Sequence, residues 1–283
     1  MKIDVTTVDS SISTDDYQGI AHTIEAQNLQ HLNFNNAASK SLTLTFWART
    51  KKAGLHGGAV YNNDANRSLV FSWTAVSDTW QKVTVQIPAE TSAGGINNDT
   101  GAGLTIYWSF SGGKYMASNT GAWVAGAYLS VTSAVNDLDS TSNDFYLTGV
   151  QLEIGDVATD FAHEDIGTTL NKCYRYYERL TPNTASNQAI FQSYNVTTTV
   201  SSGIFNYTHK RAAPTLTFTA AATFEVRHQT TTTVCSAVAV SGSTDEDRCL
   251  CNFTVSSGLT AGEGSIIRRN DTDTTYIEVA SEI

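Results

Sequence analysis

Acidic side chains occur in close pairs, from which a glycan-cleaving enzyme could draw its acid and its base. Such an enzyme needs two carboxyl groups in one cleft, roughly 5 to 9.5 Å apart. The candidates are Asp15 with Asp16, Asp137 with Asp139, and the run at 245–247. All of them lie in polar, loop-like stretches, where Asp and Glu are mostly solvated. We interpret them as loop carboxylates, and hydrolysis stays an alternative because a catalytic pair usually comes from distant strands.

The histidines and serines show no spacing typical of a metal site or of an activated nucleophile. No H-x-x-x-H, H-E-x-x-H or G-x-S-x-G sequence occurs. His56 lies in a glycine-rich turn at 54–58, but phosphate-binding loops lead into a helix, and the residues that follow this turn are typical of a strand. We therefore predict a protein that is not an enzyme.

The cysteines indicate free thiols rather than a metal site. Cys173, Cys235, Cys249 and Cys251 include one closely spaced pair, and no His completes the roughly four ligands of a structural zinc site. Free, buried thiols are the default, because Cys is among the most buried residue types. Cys249 and Cys251 would share a strand face, and either could meet Cys235 on a neighbouring strand and form a bridge. No cofactor is predicted.

Aromatic side chains on the polar faces of strands are the best binding candidates. An exposed ring can stack on the apolar C–H face of a sugar while amides and hydroxyls meet its OH groups. The predicted glycan site comprises two such rings with their polar neighbours, and two further aromatics in the long loop at 111–126 are secondary candidates: Trp47, Tyr107, Thr45, Arg49 and Gln86, then Trp123 and Tyr115. The alternative is that a loop, the second domain or another subunit covers these rings.

Alternating strands must position these side chains. SLTLTFWART, KVTVQIP and LTIYWSF each place apolar residues on one face and polar residues on the other. If Phe46 points inward, Trp47 must point outward, and Tyr107 must point outward beside Ile106. Should these strands lie in one sheet, the two rings would share a surface. Half-buried strands joined by polar loops predict an antiparallel sandwich.

The stretch at 145–180 organises the chain. It begins as a strand whose apolar positions change parity at Gly149, which predicts a one-residue bulge. The period then changes from about 2 to about 3.6. This change predicts a short helix, 171–179 at its core, with one buried face: Ile166, Leu170, Cys173, Tyr174 and Tyr177. Pro182 ends it. We expect a domain at 1–162, a connecting helix at 163–183 that acts as a hinge, and a small β-sandwich at 184–283.

Composition favours a β-rich protein with long polar loops. Only 41% of the 283 residues are hydrophobic and 16% are charged. The formal net charge of −10 argues against nucleic acid, since a phosphate backbone needs Lys and Arg, and against docking on an anionic membrane. No apolar run approaches the roughly 20 residues that span a bilayer, and the N-terminus lacks the apolar run of a signal peptide.

Two adjoining stretches, TGVQLEIGDVATDF and LNKCYRYYERL, are the most specific features of the chain. Upstream of them lie IEAQNLQHLNFNNAASKSLTLTFWART, WQKVTVQIPAETSAG and GAWVAG, and downstream lie HKRAAPTLTFT and SSGLTAGEGSIIRRNDTDTTYIEVASEI. In this order they resemble tail-fibre and surface-appendage proteins of tailed bacteriophages, especially marine ones, over nearly the whole chain. Such relatives usually carry more polypeptide before MKIDVTTVDSS, so an N-terminal strand or attachment segment is expected to be missing here.

The resemblance implies a carbohydrate-binding-module-like jelly roll followed by a second β domain. It implies a virion protein on the phage surface that is made in the host cytoplasm, helps attachment through a bacterial surface glycan, and contacts other virion proteins. It also implies a homo-oligomer, with a trimer favoured. Jelly rolls of this type often hold one structural calcium, and the oxygen-rich loops 62–66 and 94–101 are candidates, although nothing fixes the six to eight oxygens that Ca²⁺ requires. The alternatives are a purely structural capsid decoration or adaptor protein and a polysaccharide depolymerase.

Overall fold

Antiparallel strands account for almost all of the regular structure, which confirms the predicted all-β class. The computed structural model describes residues 1–14, 16–91, 93–113, 115–117, 121–182, 187–242, 244–270 and 275–283. The chain forms two compact units, Met1–His163 and Glu164–Glu282. Each unit has a hydrophobic core of its own.

Two sheets build the first unit. One has four strands, which pair antiparallel in the order β1-β11-β3-β6: β1 Lys2–Asp4, β3 Leu42–Thr50, β6 Gln81–Ile87 and β11 Asp144–Ile154. The other has five strands in the order β2-β7-β4-β5-β9: β2 Tyr17–Glu25, β4 Gly54–Asn62, β5 Arg67–Ala75, β7 Ala102–Gly112 and β9 Trp123–Ala125. Two short strands pair in parallel, and two 3-10 helices complete the unit: β8 Met116–Ala117, β10 Ser130–Val131, and the helices Ala26–Leu32 and Asp137–Asp139.

The inward faces of both sheets share one core, as in a β-sandwich. The apolar positions predicted from the alternation of β3, β6 and β7 are all buried in it: Leu42, Leu44, Phe46, Ala48, Val83, Val85, Ile87, Leu104, Ile106, Trp108 and Phe110. Rings from the two sheets meet edge to face, with the centroids of Phe46 and Trp108 separated by 5.7 Å. Burial of these side chains is the main stabilising term of the unit.

The predicted bulge at Gly149 is confirmed. The register between β11 and β3 shifts between Thr148 and Gln151, and Gly149 has a φ of +58°. Glycine adopts this conformation without steric cost. After the bulge Leu152 packs against the core, whereas Val150 and Ile154, which the pattern places on the same face, are exposed.

A barrel and a small sheet build the second unit. Six antiparallel strands close in the order β13-β14-β18-β17-β16-β19: β13 Ala189–Asn195, β14 Val200–Asn206, β16 Phe224–His228, β17 Thr231–Val240, β18 Arg248–Val255 and β19 Gly264–Arg269. Three further strands pair in the order β12-β20-β15: β12 Tyr177–Leu180, β15 Thr215–Phe218 and β20 Ile277–Ala280. A 3-10 helix, Ala221–Thr223, precedes β16.

The six strands close into a barrel, whereas the sequence predicted a small two-sheet sandwich for this segment. Bulges in β13 and β17 bend the strands, as closure requires. A Cβ at Gly203 would lie 2.6 Å from the ring of Phe191, so glycine at this position lets that ring lie in the barrel. Phe191 packs against the barrel core, and so do the apolar residues of the three-stranded sheet.

The helix differs from its prediction in extent and in packing. Helix α1 covers Ile166–Tyr174, and β12 begins at Tyr177 by pairing with β20. Asp165 caps its N-terminus, but none of its residues is buried and Leu170 is 44% exposed. The predicted burial of this helix face is therefore wrong, and with it the argument for a packed hinge. No helix among the described residues is long and apolar enough to span a membrane.

Candidate functional site

Trp47 lies on the outer face of the four-stranded sheet, as the alternation of β3 predicts. Its chain neighbours Phe46 and Ala48 are buried in the core, while the indole is 41% exposed. A Cβ built at Gly149 would lie 3.2 Å from Cδ1 of Trp47. The ring therefore packs against the bulged strand with one edge and leaves much of its surface to solvent.

Polar side chains of β3 and β6 share this surface with Trp47. In the strand register Lys82 lies opposite Trp47, Thr84 lies opposite Thr45, and Gln86 lies opposite Thr43. Lys82, Thr84 and Gln86 are all exposed. They offer an ammonium, a hydroxyl and an amide, which are the groups that hydrogen-bond sugar hydroxyls.

Thr45 is not available to a ligand, although the sequence places it in the glycan site. It faces outward but is only 4% exposed. It lies opposite Gln151, and the chain after β11 folds back along this strand. Oε1 of Gln151 accepts a hydrogen bond from the Ala162 amide at 2.8 Å, and Glu153 accepts from the Thr159 amide at 2.9 Å. We call residues 155–162 the return segment. It bonds the side chains of Gln151 and Glu153, which lie opposite Thr45 and Thr43 in the strand register.

Arg49 is held in place rather than free. Its Nε donates to Oδ1 of Asp78 at 2.8 Å, and its guanidinium lies 5.0 Å from the ring centroid of Tyr146. The Asp78 carboxylate raises the pKa of Arg49. Arg49 therefore contributes a fixed, charge-paired edge to the surface and orients the Tyr146 ring.

Trp80 is an exposed aromatic that the sequence analysis missed. It directly precedes β6, is 42% exposed, and makes an edge-to-face contact with Tyr146 at 6.0 Å between ring centroids. The available signal was strand parity: extending the outward positions 86, 84 and 82 by one more step reaches residue 80. We call the surface formed by these outward side chains the Trp47 face: Trp47, Arg49, Trp80, Lys82, Thr84, Gln86 and Tyr146.

Tyr107 does not belong to the Trp47 face. Its strand β7 lies in the five-stranded sheet, whereas β3 lies in the four-stranded sheet, so the two rings are on opposite outer surfaces of the unit. Tyr107 lies between Ala21 and Ala59 in the register and lines a small cavity of about 70 Å³. Burial raises the pKa of its hydroxyl. The condition for a shared aromatic site fails for this pair.

The two loop aromatics also lie elsewhere. Trp123 is part of β9, donates its indole N–H to the Pro88 carbonyl at 2.8 Å, and contacts Phe34 at 5.7 Å between centroids. It packs against the core and has a structural role. Tyr115 is exposed and contacts Tyr17 at 6.1 Å. Of the seven predicted site residues, the Trp47 face brings together Trp47, Arg49 and Gln86.

A buried His–Asp pair was invisible in the sequence. Nε2 of His56 lies 3.2 Å from Oδ1 of Asp137, and both side chains are almost completely buried. Burial lowers the pKa of His56 to about 4 and raises the pKa of Asp137 to about 7. The interpretation of Asp137 as a solvated loop carboxylate is wrong. Because the His56 ring lies against the core rings of Trp73 and Phe145 and Asp137 is buried beside it, we assign the pair to stability.

Two further carboxylates considered for catalysis and the two loops considered for calcium make hydrogen bonds within the protein. Asp16 bonds the Ser13 amide, Asp245 bonds the Arg248 amide, and Asp15 lies outside the described residues. The two loops considered for calcium bond each other, since Asp64 accepts from the amide of Asn97 at 3.0 Å. Among the described residues no group of three His, Cys, Asp or Glu side chains could hold a metal ion.

The cysteines are free thiols, as predicted, but Cys173 does not have the burial that the helix pattern predicted. Cys235, Cys249 and Cys251 are buried, and Cys173 is exposed. The Cys249 and Cys251 sulfurs lie 3.3 Å apart inside the barrel. Cys235 lies opposite Val255 in the register, so the bridge considered between Cys235 and these thiols is not formed.

No protein-family model matches the chain, no curated protein matches it, and no solved structure matches it.

Proposed function

We propose that this chain is a non-enzymatic surface protein of a tailed-phage particle that binds a bacterial surface glycan through the Trp47 face. The observation that carries the proposal is the pairing of two exposed indoles, Trp47 and Trp80, with the polar groups of Lys82, Thr84 and Gln86 on one sheet face. Rings supply the stacking surface that a sugar needs, and the polar groups supply its hydrogen bonds.

The phage assignment is supported by the ordered sequence stretches that resemble tail-fibre and appendage proteins. The two-sheet first unit is compatible with the jelly roll of carbohydrate-binding type that this resemblance implies. A single stacked ring contributes about 1 kcal/mol. One site is therefore weak, and firm attachment requires several copies that act together.

An apolar patch on the barrel supports assembly into a homo-oligomer, for which the resemblance favours a trimer. Tyr194, Ile204 and Ile266 point outward from the adjoining strands β13, β14 and β19 and are exposed. Exposed clusters of large apolar side chains mark protein contacts more often than they mark other functions. We propose that this patch lies between copies of the chain.

Trp47→Ala tests the binding proposal. We expect the variant to fold normally, because an outward, half-exposed side chain adds little to stability. It should lose attachment to host cells, which depends on several weak sites acting together, and should bind a printed array of bacterial capsular and O-chain polysaccharides about fivefold more weakly per site. Tyr115→Ala is the matched control, since it removes an exposed ring from a different surface. Near-UV circular dichroism checks the fold of both variants.

Other outcomes separate the competing functions. A folded Trp47→Ala protein that binds the array normally contradicts the proposal. Release of reducing ends from any of these polysaccharides would identify a depolymerase. A wild-type protein that neither binds nor cleaves them would favour the purely structural role on the virion.

A further inference from the structure

We infer that the Trp47 face binds a chain of linked sugars rather than a single terminal sugar, with Trp80 as a second stacking subsite. This inference rests on the proposed function. Trp80 has the same exposure as Trp47 within one percentage point, 42% against 41%. Both side chains project from the same outer surface, because Trp80 contacts Tyr146 and Tyr146 lies beside Arg49 in the register of β11 and β3.

The strand register indicates how far apart Trp47 and Trp80 lie along the sheet. Lys82 lies opposite Trp47, and Gln81 lies opposite Ala48. Trp80 therefore lies next to Arg49 and diagonally from Trp47. Diagonal neighbours on one sheet face are roughly 7 to 8 Å apart. At this spacing each indole can take a different sugar of one chain, and Lys82 lies beside both residues.

The Trp80 subsite is built rather than incidental. The Tyr146 ring contacts the Trp80 ring at its edge, at 6.0 Å between centroids. Tyr146 is in turn flanked by cations, with the Arg49 guanidinium at 5.0 Å and the Lys2 ammonium at 5.6 Å from its centroid. Arg49 is bound by Asp78. These contacts limit the orientations of Trp80 before any ligand arrives, and this reduces the entropic cost of binding.

The two subsites predict a dependence of affinity on chain length. A ligand that covers one indole gains one stacking contribution, and a longer ligand gains two. The second contribution amounts to about fivefold in affinity, which corresponds to about 1 kcal/mol. Trp80→Ala should therefore weaken long ligands and leave short ones unchanged, whereas Trp47→Ala should weaken both.

The experiment uses the full chain and a printed array of bacterial capsular and O-chain polysaccharides with their size-sorted fragments of one to eight sugars. Wild type is expected to bind fragments long enough to cover both indoles about fivefold more tightly than single sugars. Trp80→Ala should remove this gain, Trp80→Phe should restore part of it because the ring returns, and Tyr115→Ala should behave as wild type.

The outcomes separate this inference from the proposed function. If Trp47→Ala weakens the binding of all fragments while Trp80→Ala binds long fragments as tightly as wild type, the second subsite is refuted and the glycan function stands. If both variants bind as wild type, or wild type binds nothing on the array, the glycan function fails and the inference fails with it. Near-UV circular dichroism of each variant identifies any loss that comes from unfolding.

Discussion

Asp137→Asn is expected to make the first unit sensitive to acid, because it removes one half of the buried His56–Asp137 pair. In the folded protein the pair holds one proton between about pH 4 and pH 7, since Asp137 has a pKa of about 7 and His56 a pKa of about 4. In the unfolded chain, with ordinary pKa values of 3.8 and 6.5, the two groups also hold one proton between these values, now on the histidine. The intact pair therefore contributes little pH dependence in this range.

Removing either member of the pair should expose the pH dependence of stability that the other member contributes. The folded pKa of His56 is lowered, so neutral His56 contributes stability that is present above pH 6.5 and is lost as the pH falls toward 4. Asp137→Asn leaves only this term. The folded pKa of Asp137 is raised, so protonated Asp137 contributes stability that is present below pH 3.8 and is lost as the pH rises toward 7. His56→Leu leaves only this second term, with the opposite slope.

The expected magnitudes follow from the distance between folded and unfolded pKa values, at about 1.4 kcal/mol per pH unit. Relative to wild type, the free energy of unfolding of Asp137→Asn should fall by about 3 kcal/mol between pH 7 and pH 4. That of His56→Leu should fall by about 4 kcal/mol between pH 4 and pH 7. Denaturant unfolding followed by tryptophan fluorescence measures this, because all five tryptophans lie before residue 124 and report on the first unit.

Two results would refute this reasoning. If the difference between Asp137→Asn and wild type does not change from pH 7 to pH 4, His56 is not held neutral by burial. If both variants show the same direction of pH dependence, the pair does not share one proton. A general loss of stability without any slope would indicate only a packing defect.

The remaining predictions concern the second unit. Lys210→Met should lower its free energy of unfolding by about 2 kcal/mol, because the fully buried Lys210 ammonium donates to Glu178 at 3.0 Å and to the helix carbonyl of Tyr174 at 2.5 Å. Lys172→Met, at the exposed pair with Glu164 in the same unit, is the control, and equal unfolding behaviour of the two variants in calorimetry would contradict the assignment. Ile204→Glu should dissociate the proposed homo-oligomer without unfolding the barrel, because it places a charge in the apolar patch. Light scattering measures the mass of the assembly, and a wild-type protein that is monomeric at all concentrations would contradict the assembly proposal.

Alternation of side chains predicts which face of a strand is buried, but it does not predict which sheet the strand joins. The alternate apolar residues of β3 and β7 were assigned correctly to the core, and Trp47 was assigned correctly to the outside. Tyr107 was grouped with Trp47 because both alternate in the same way. Sheet membership depends on pairings such as β2 with β7, between residues 77 to 95 positions apart, and no local pattern encodes them.

The helix and the buried pair show the same limit. The helical period at 166–177 is real for α1, but Tyr177 leaves the helix to pair with Ala280, about a hundred residues away. Periodicity predicted a buried face, and nothing in that stretch could show that the face stays exposed. Asp137 lies in a polar run, and its burial depends on His56, which is 81 positions distant. Long-range contacts decide these features, while propensity decides only the local geometry.

The two outer faces of the first unit differ in what covers them, and this difference selects the binding candidate. On the five-stranded sheet Val131 of β10 packs over Ala59 and Val70, and Ser68 fixes the crossing chain by donating to the Gly126 carbonyl at 2.7 Å. That face is already occupied by the protein's own chain around these residues. On the four-stranded sheet the return segment, residues 155–162, bonds side chains of β11 in the rows of Thr43 and Thr45, and the next rows keep two half-exposed indoles. Exposed tryptophan surface is costly to leave in water, so two such rings beside polar side chains indicate a surface that a partner covers, and array binding by wild type and by Trp47→Ala decides whether that partner is a glycan or a neighbouring virion protein.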